Sequence, residues 1–172
     1  LARSFSRRLS FLHDHPKAVA IVKQWLAPDG LLGNVSGLND LRRAMFVNVA
    51  PVLPEAALAA LERDGGGYSN VDMFARRRLL SLLRSLAYDA LLFERSAQLL
   101  SRAVMESADD QEAKTASDTF VSLFTIHLSG THATIEQRLG VIEQHLKSGE
   151  AKARTLGLAA LDKVLATNHF GA

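Results

Sequence analysis

The chain contains no cysteine. That excludes a disulfide framework and any thiolate metal site, and it fits a reducing, cytoplasmic setting. Aromatic residues make up only 6%, too few for a stacking platform that reads bases. No apolar run approaches 18 residues, so no membrane span is expected. There is no signal-peptide pattern, and the first residue is not Met. We read the chain as one domain, 1–172, excised from a longer protein. The net charge is only +2, too small to announce a nucleic-acid binder. Residues 1–86 nevertheless carry 12 Lys+Arg against 7 Asp+Glu, whereas residues 87–172 carry 8 against 11. An anionic partner is therefore to be sought in the first half.

What is abundant is Leu and Ala, both strong helix formers. Helical periodicity runs through almost the whole chain and two-residue alternation is nearly absent. Nine helical segments follow. The first covers about Ala2–His13, with Phe5, Leu9 and Leu12 on one face. The second starts at Pro16, a favoured first-turn position, and turns Ala18, Val22, Trp25 and Leu26 inward. Pro28-Asp29-Gly30 opens a Gly-bearing loop to Gly37. Ser36 or Asn39 caps a third helix with Leu38, Leu41, Met45 and Val49 in one stripe. Pro51 and Pro54 separate it from a fourth, Pro54–Asp64. Gly65-Gly66-Gly67 is the most flexible connector, and Ser69 or Asn70 caps the fifth helix. Asp89 opens the sixth. The seventh carries Phe120 and Phe124, and Thr131 caps the eighth, with Ile135, Leu139, Ile142 and Leu146. The ninth, Glu150–Thr167, turns Leu158, Leu161 and Leu165 to one side. Trp25, Phe93, Phe120 and Phe124 stand at core spacing.

The fold class is therefore all-α, with a HEAT-like α-solenoid of antiparallel helix pairs preferred over a compact helical bundle. Arg7-Arg8, Arg42-Arg43 and Arg77-Arg78 recur every 35 residues, near the period of helix-pair arrays. In such a stack Arg7, Arg8, Arg42, Arg43, Arg76, Arg77 and Arg78 would form a cationic ladder. It could be neutralised by Asp14, Asp40, Glu62 and Asp72, by an acidic protein surface or by a phosphate backbone.

Catalytic and cofactor signatures are missing, so no cofactor or metal is expected. The Gly65–Gly67 run has no following Lys and cannot be a P-loop. His13-Asp14-His15 is a helix-end cluster, not a ligand set. His127, His132 and Glu136 around Ser129-Gly130 could at most sketch a metal or nucleophile site. A small all-α enzyme would have to place its site there.

Five stretches carry a resemblance: residues 26–33 (LAPDGLLG), 48–55 (NVAPVLPE), 82–94 (LLRSLAYDALLFE), 128–133 (LSGTHA) and the closing Asn168-His169-Phe170. Together they are similar to the helical region that follows the nucleotide-binding module of large bacterial STAND-like NTPases. The resemblance implies a non-catalytic repeat arm. Such an arm restrains the ATPase, senses a trigger and supports oligomerisation through contact with protein. Its partners would be other domains of the parent chain, sister subunits or a trigger protein. The nucleotide-binding residues of that class have no counterpart here. The rival reading is a nucleic-acid-binding repeat that uses the arginine ladder.

Overall fold

The computed structural model describes residues 1–66, 71–126 and 129–166. Among them are nine α-helices and no strand. The helices are α1 Ala2–Leu9, α2 Pro16–Leu26, α3 Asp40–Val49, α4 Pro54–Arg63, α5 Met73–Leu86, α6 Phe93–Glu106, α7 Asp110–Ser122, α8 Ile135–Leu146 and α9 Ala151–Leu165. Short 3-10 turns, Ser10–Leu12 and Ala50–Val52, extend α1 and α3. The chain divides into two compact units, Leu1–Leu82 and Leu83–Ala172, and α5 runs through the division.

Unit 1 repeats one design. Each half is a helix, a 3-10 turn and a second helix that opens on proline. Pro16 and Pro54 begin α2 and α4 because a missing N–H and a preset φ suit the first helical turn. α1 packs on α3, α2 on α4, and the first 3-10 turn on the second. Asn48, late in α3, donates from Nδ2 to the Ser6 hydroxyl at 3.0 Å and to the Arg3 carbonyl at 3.5 Å. The following turns meet as well, so α1 and α3 run in the same direction.

The Gly-bearing loop between α2 and α3 is packed, not open. Leu32, Val35 and Leu38 are buried. The Leu32 amide bonds the Trp25 carbonyl at 2.8 Å, which folds the loop back on the end of α2. A Cβ on Gly33 would lie 1.8 Å from the Ala27 carbonyl oxygen, so only glycine fits. The far end of α4 holds the loop. Arg63 donates to the carbonyls of Leu26 at 2.9 Å and Gly33 at 3.3 Å. The Asp64 carboxylate accepts from the amides of Val35 and Ser36. Gly65 and Gly66, read above as a flexible connector, take positive φ and close α4, the Gly66 amide reaching the Leu61 carbonyl at 2.7 Å. Gly67, Ser69 and Asn70 lie outside the described residues. The α5 amide bond at its start comes from Asp72, whose carboxylate accepts from the Ala75 amide at 2.8 Å. Asn39 caps α3, one of the two residues expected to do so.

Unit 2 is a four-helix cluster joined to the end of α5. α6 packs on α7, α8 and α9, and α9 also packs on α7 and α8. Phe93, Phe120 and Phe124 are fully buried at its centre, with ring centroids 5.9 Å (Phe93–Phe124) and 4.9 Å (Phe120–Phe124) apart. Trp25, in unit 1, is only partly buried and meets Phe5 edge-on at 6.2 Å. Several expected boundaries and faces shift. α6 opens at Phe93, because the Asp89 side chain bonds the Leu91 amide and makes a turn. Thr134, not Thr131, caps α8, in a reciprocal pair with Gln137. Leu41 in unit 1 and Ile135, Leu139, Leu158 and Leu165 in unit 2 are exposed. The described part of α9 ends at Leu165.

Candidate functional site

The arginines sit on three helices but not at matching stations. Arg7 and Arg8 occupy the last turn of α1, whereas Arg42 and Arg43 occupy the first turn of α3. The two 3-10 turns start at Ser10 and Ala50, 40 residues apart, and α2 and α4 start at Pro16 and Pro54, 38 apart. The 35-residue arginine spacing therefore runs ahead of the structural register. Since α1 and α3 are parallel, Arg7 and Arg42 stand near opposite ends of the stacked pair.

What the fold brings together is a different set. Arg3, Arg7 and Arg78 line one hollow of about 260 Å³ with Ala44, Val47 and Asn48. Arg3 and Arg78 also border a second hollow of about 270 Å³ with Arg43, Asp40, Asp72, Phe74, Ala44 and Ala75. Arg8, Arg42 and Arg77 are exposed and line neither hollow, and Arg76 also lines neither. Arg43 is buried and committed to its surroundings. It pairs with Asp40 at 3.1 Å and donates to the Leu38 carbonyl, pinning the loop ahead of α3. Its Nε has no hydrogen-bond partner among the described residues. Sequence reasoning missed Arg3. Its spacing of four from Arg7 puts both on one face of α1, and that signal was present.

Unit 2 buries one arginine among the described residues. Arg138 is 4% exposed. Its guanidinium donates to the Ser129 hydroxyl at 2.6 Å, the Thr131 hydroxyl at 2.8 Å and the carbonyls of Leu123 (3.3 Å) and Thr131 (3.4 Å). Burial lowers its pKa from the ordinary value, yet a guanidinium keeps its proton at any usual pH. Ser129, the nucleophile considered above, is thus tied to Arg138 and to the Thr131 carbonyl. His132 is exposed, its ring 4.4 Å from that of Tyr88 and its amide bonded to the Tyr88 carbonyl. His127 lies outside the described residues. Glu136 is exposed at the start of α8, where a backbone amide and the Thr134 hydroxyl hold its carboxyl below the usual value. Among the described residues, no three His, Asp or Glu gather as a metal site would need.

One Ser–His contact exists in unit 2. His145 Nδ1 bonds the Val141 carbonyl at 2.8 Å, and Nε2 meets the Ser101 hydroxyl at 2.7 Å. A carbonyl only accepts, so Nδ1 carries a proton, and Nε2 shares a hydrogen bond with the Ser101 hydroxyl. Both residues are buried, and the Phe120 ring lies 5.1 Å from the imidazole. A carbonyl stands where a catalytic triad would use an acid. This is the geometry of a satisfied core histidine.

No protein-family model, curated protein or solved structure matches the chain. The functional reading therefore rests on its own residues.

Proposed function

We propose that the chain is a non-catalytic helical scaffold that binds other protein surfaces, the sensor or docking arm of a larger bacterial STAND-like NTPase. The stacked pair in unit 1 carries this reading. Helix pairs that stack like on like are the unit from which helical arrays grow, each pair covering the apolar face of the next. In unit 1 that face is covered in one pair and open in the other. Phe5 is 50% and Leu12 47% exposed, while the residues 40 positions on, Met45 and Val52, are 6% and 7% exposed. Phe11, in the same 3-10 turn as Leu12, is 78% exposed.

A further helix pair of this kind fits that open face. It would come from the parent chain, a sister subunit or a trigger protein. A few aromatic and aliphatic anchors would supply most of the binding energy, each worth about 1.5–3 kcal/mol when fully covered. A HEAT-like solenoid is the architecture this stacking favours. The rival, a nucleic-acid-binding ladder, has weaker support, because Arg43 is committed internally and the arginine spacing misses the structural register.

The reading has two tests. The purified chain should hydrolyse neither ATP nor nitrophenyl esters; turnover abolished by Ser101→Ala would overturn it. Without its natural cover the open face should drive self-association. Light scattering should then give a mass that rises with concentration, returning to monomer in Phe5→Glu/Phe11→Glu with unchanged circular dichroism. A wild-type chain that stays monomeric to about millimolar concentration would remove this face as a binding surface.

A further inference from the structure

We propose that the hollow lined by Arg3, Arg7 and Arg78 is a binding site for a small, multiply charged oxyanion of the phosphate class. Three arginines, from α1 and α5, line one hollow of about 260 Å³ that no carboxylate lines. None of the three makes an ion pair or side-chain hydrogen bond within the described residues. Arg3 and Arg7 are four apart on α1, a like-charge spacing that disfavours the helix, and Arg78 adds a third charge from α5. An arrangement that repels itself when empty is relieved by an anion.

The neighbouring acids leave that need unmet. Asp40 and Asp72 border the second hollow, but Asp40 takes Arg43 and Asp72 takes the Ala75 amide. Around the two hollows, Arg3, Arg7, Arg43 and Arg78 outnumber Asp40 and Asp72 by two charges, which a dianion balances. Guanidinium forks match tetrahedral oxyanions through paired N–H donors. The size sets the class. At about 260 Å³ the hollow is below the usual 300–1,000 Å³ of sites for drug-sized ligands. No aromatic ring lines it to stack a base. It suits a phosphate or diphosphate group and not a whole nucleotide. The proposal stands apart from the scaffold reading, since it concerns a free anion and not the apolar face.

The test is calorimetric titration of the full 172-residue chain with pyrophosphate, at a fixed ionic strength of about 0.1 M. The expected result is saturable binding at one site. Arg78→Gln and Arg7→Gln should each weaken it about tenfold or more, the effect of losing a charge-assisted bond. Arg77→Gln, the same change one residue along α5 and outside the hollow, should leave it within about twofold. Amide shifts on titration should cluster at residues 3–7, 44–48 and 78. Equal losses in Arg77→Gln and Arg78→Gln would mean diffuse attraction to a basic surface and would overturn the proposal. So would an absence of saturable binding. A single-stranded oligonucleotide that binds where pyrophosphate does not would also overturn it, in favour of a face that tracks a polymer backbone.

Discussion

The two units treat their cations in opposite ways. Unit 1 carries 11 Lys+Arg against 7 Asp+Glu and leaves Arg3, Arg7 and Arg78 unpaired around a hollow. Unit 2 carries 9 against 11 and takes an arginine into its interior. Arg138 is held there through Nε and Nη2 by four neutral oxygens and pairs with no carboxylate among the described residues. Arg43 in unit 1 is buried too, but its neighbours Arg3 and Arg78 border open space. A buried cation bonded to neighbouring carbonyls and hydroxyls holds a fold together, while a cluster of unpaired cations around a hollow is available to bind. Among the phenylalanines, Phe93, Phe120 and Phe124 of unit 2 lie in its core, whereas unit 1 buries Phe46 and leaves Phe5, Phe11 and Phe74 exposed.

Substitutions in each unit test this contrast. The largest expected effect is in unit 1, at the packed loop. Gly33→Ala should destabilise by about 3 kcal/mol or more, because the new Cβ overlaps backbone and not a side chain that could move. Urea unfolding measures it, and a change below about 1 kcal/mol would mean the loop is open. Next comes Arg138→Leu in unit 2, expected to cost about 2 kcal/mol by stranding the Ser129 and Thr131 hydroxyls and the Leu123 carbonyl. Matched Arg3→Leu should cost less than about 0.5 kcal/mol, as expected for an exposed cation without a partner. Equal losses from the two would erase the contrast.

Gly157→Ala should follow at about 1–2 kcal/mol, since its Cβ would press to 2.9 Å from the Cβ of His145 where α8 and α9 meet. Hydrogen exchange should place that loss in unit 2. The smallest effect is a pH dependence. Lys147 holds the Glu143 carboxyl below its ordinary value of 4.5, by hydrogen bond and by charge. Its folded pKa is therefore depressed. The contribution is present above the unfolded value and is lost as pH falls through the folded one. Glu143→Gln should slightly lower the melting temperature at pH 7 and leave it unchanged near pH 2. A constant difference across that range would assign the effect to something other than charge.

Much of the fold was legible in the sequence because its signals are local. Pro16 and Pro54 start helices, Asn39 caps one, and the spacing of Phe93, Phe120 and Phe124 marks a core face. The rest depends on which elements meet. Periodicity reports that a helix has an apolar stripe, but not whether a neighbour covers it, and so Leu139 and Leu158 belong to such stripes and yet lie exposed. The clamp of Arg63 and Asp64 on the α2–α3 loop joins residues 28 to 37 positions apart. No local rule pairs them. The arginine spacing of 35 suggested a ladder, but a 3-10 turn and the lengths of the helices set the register at 38–40. The hollow was partly visible, in Arg7 and Arg78. Arg3 stands outside the doublets, and only its i, i+4 spacing from Arg7 marks it.

The parallel stacking of the two helix pairs in unit 1 underlies the scaffold reading, and it can be measured directly. The chain has no cysteine, so Ser6→Cys/Asn48→Cys introduces its only two thiols, at side chains now in contact at 3.0 Å. A short thiol-specific cross-linker should join them within one molecule under native conditions and raise the melting temperature, with no product in urea. Thiols that stay unlinked in the folded chain, or that link only between molecules, would contradict the stacked pair and the binding face inferred from it.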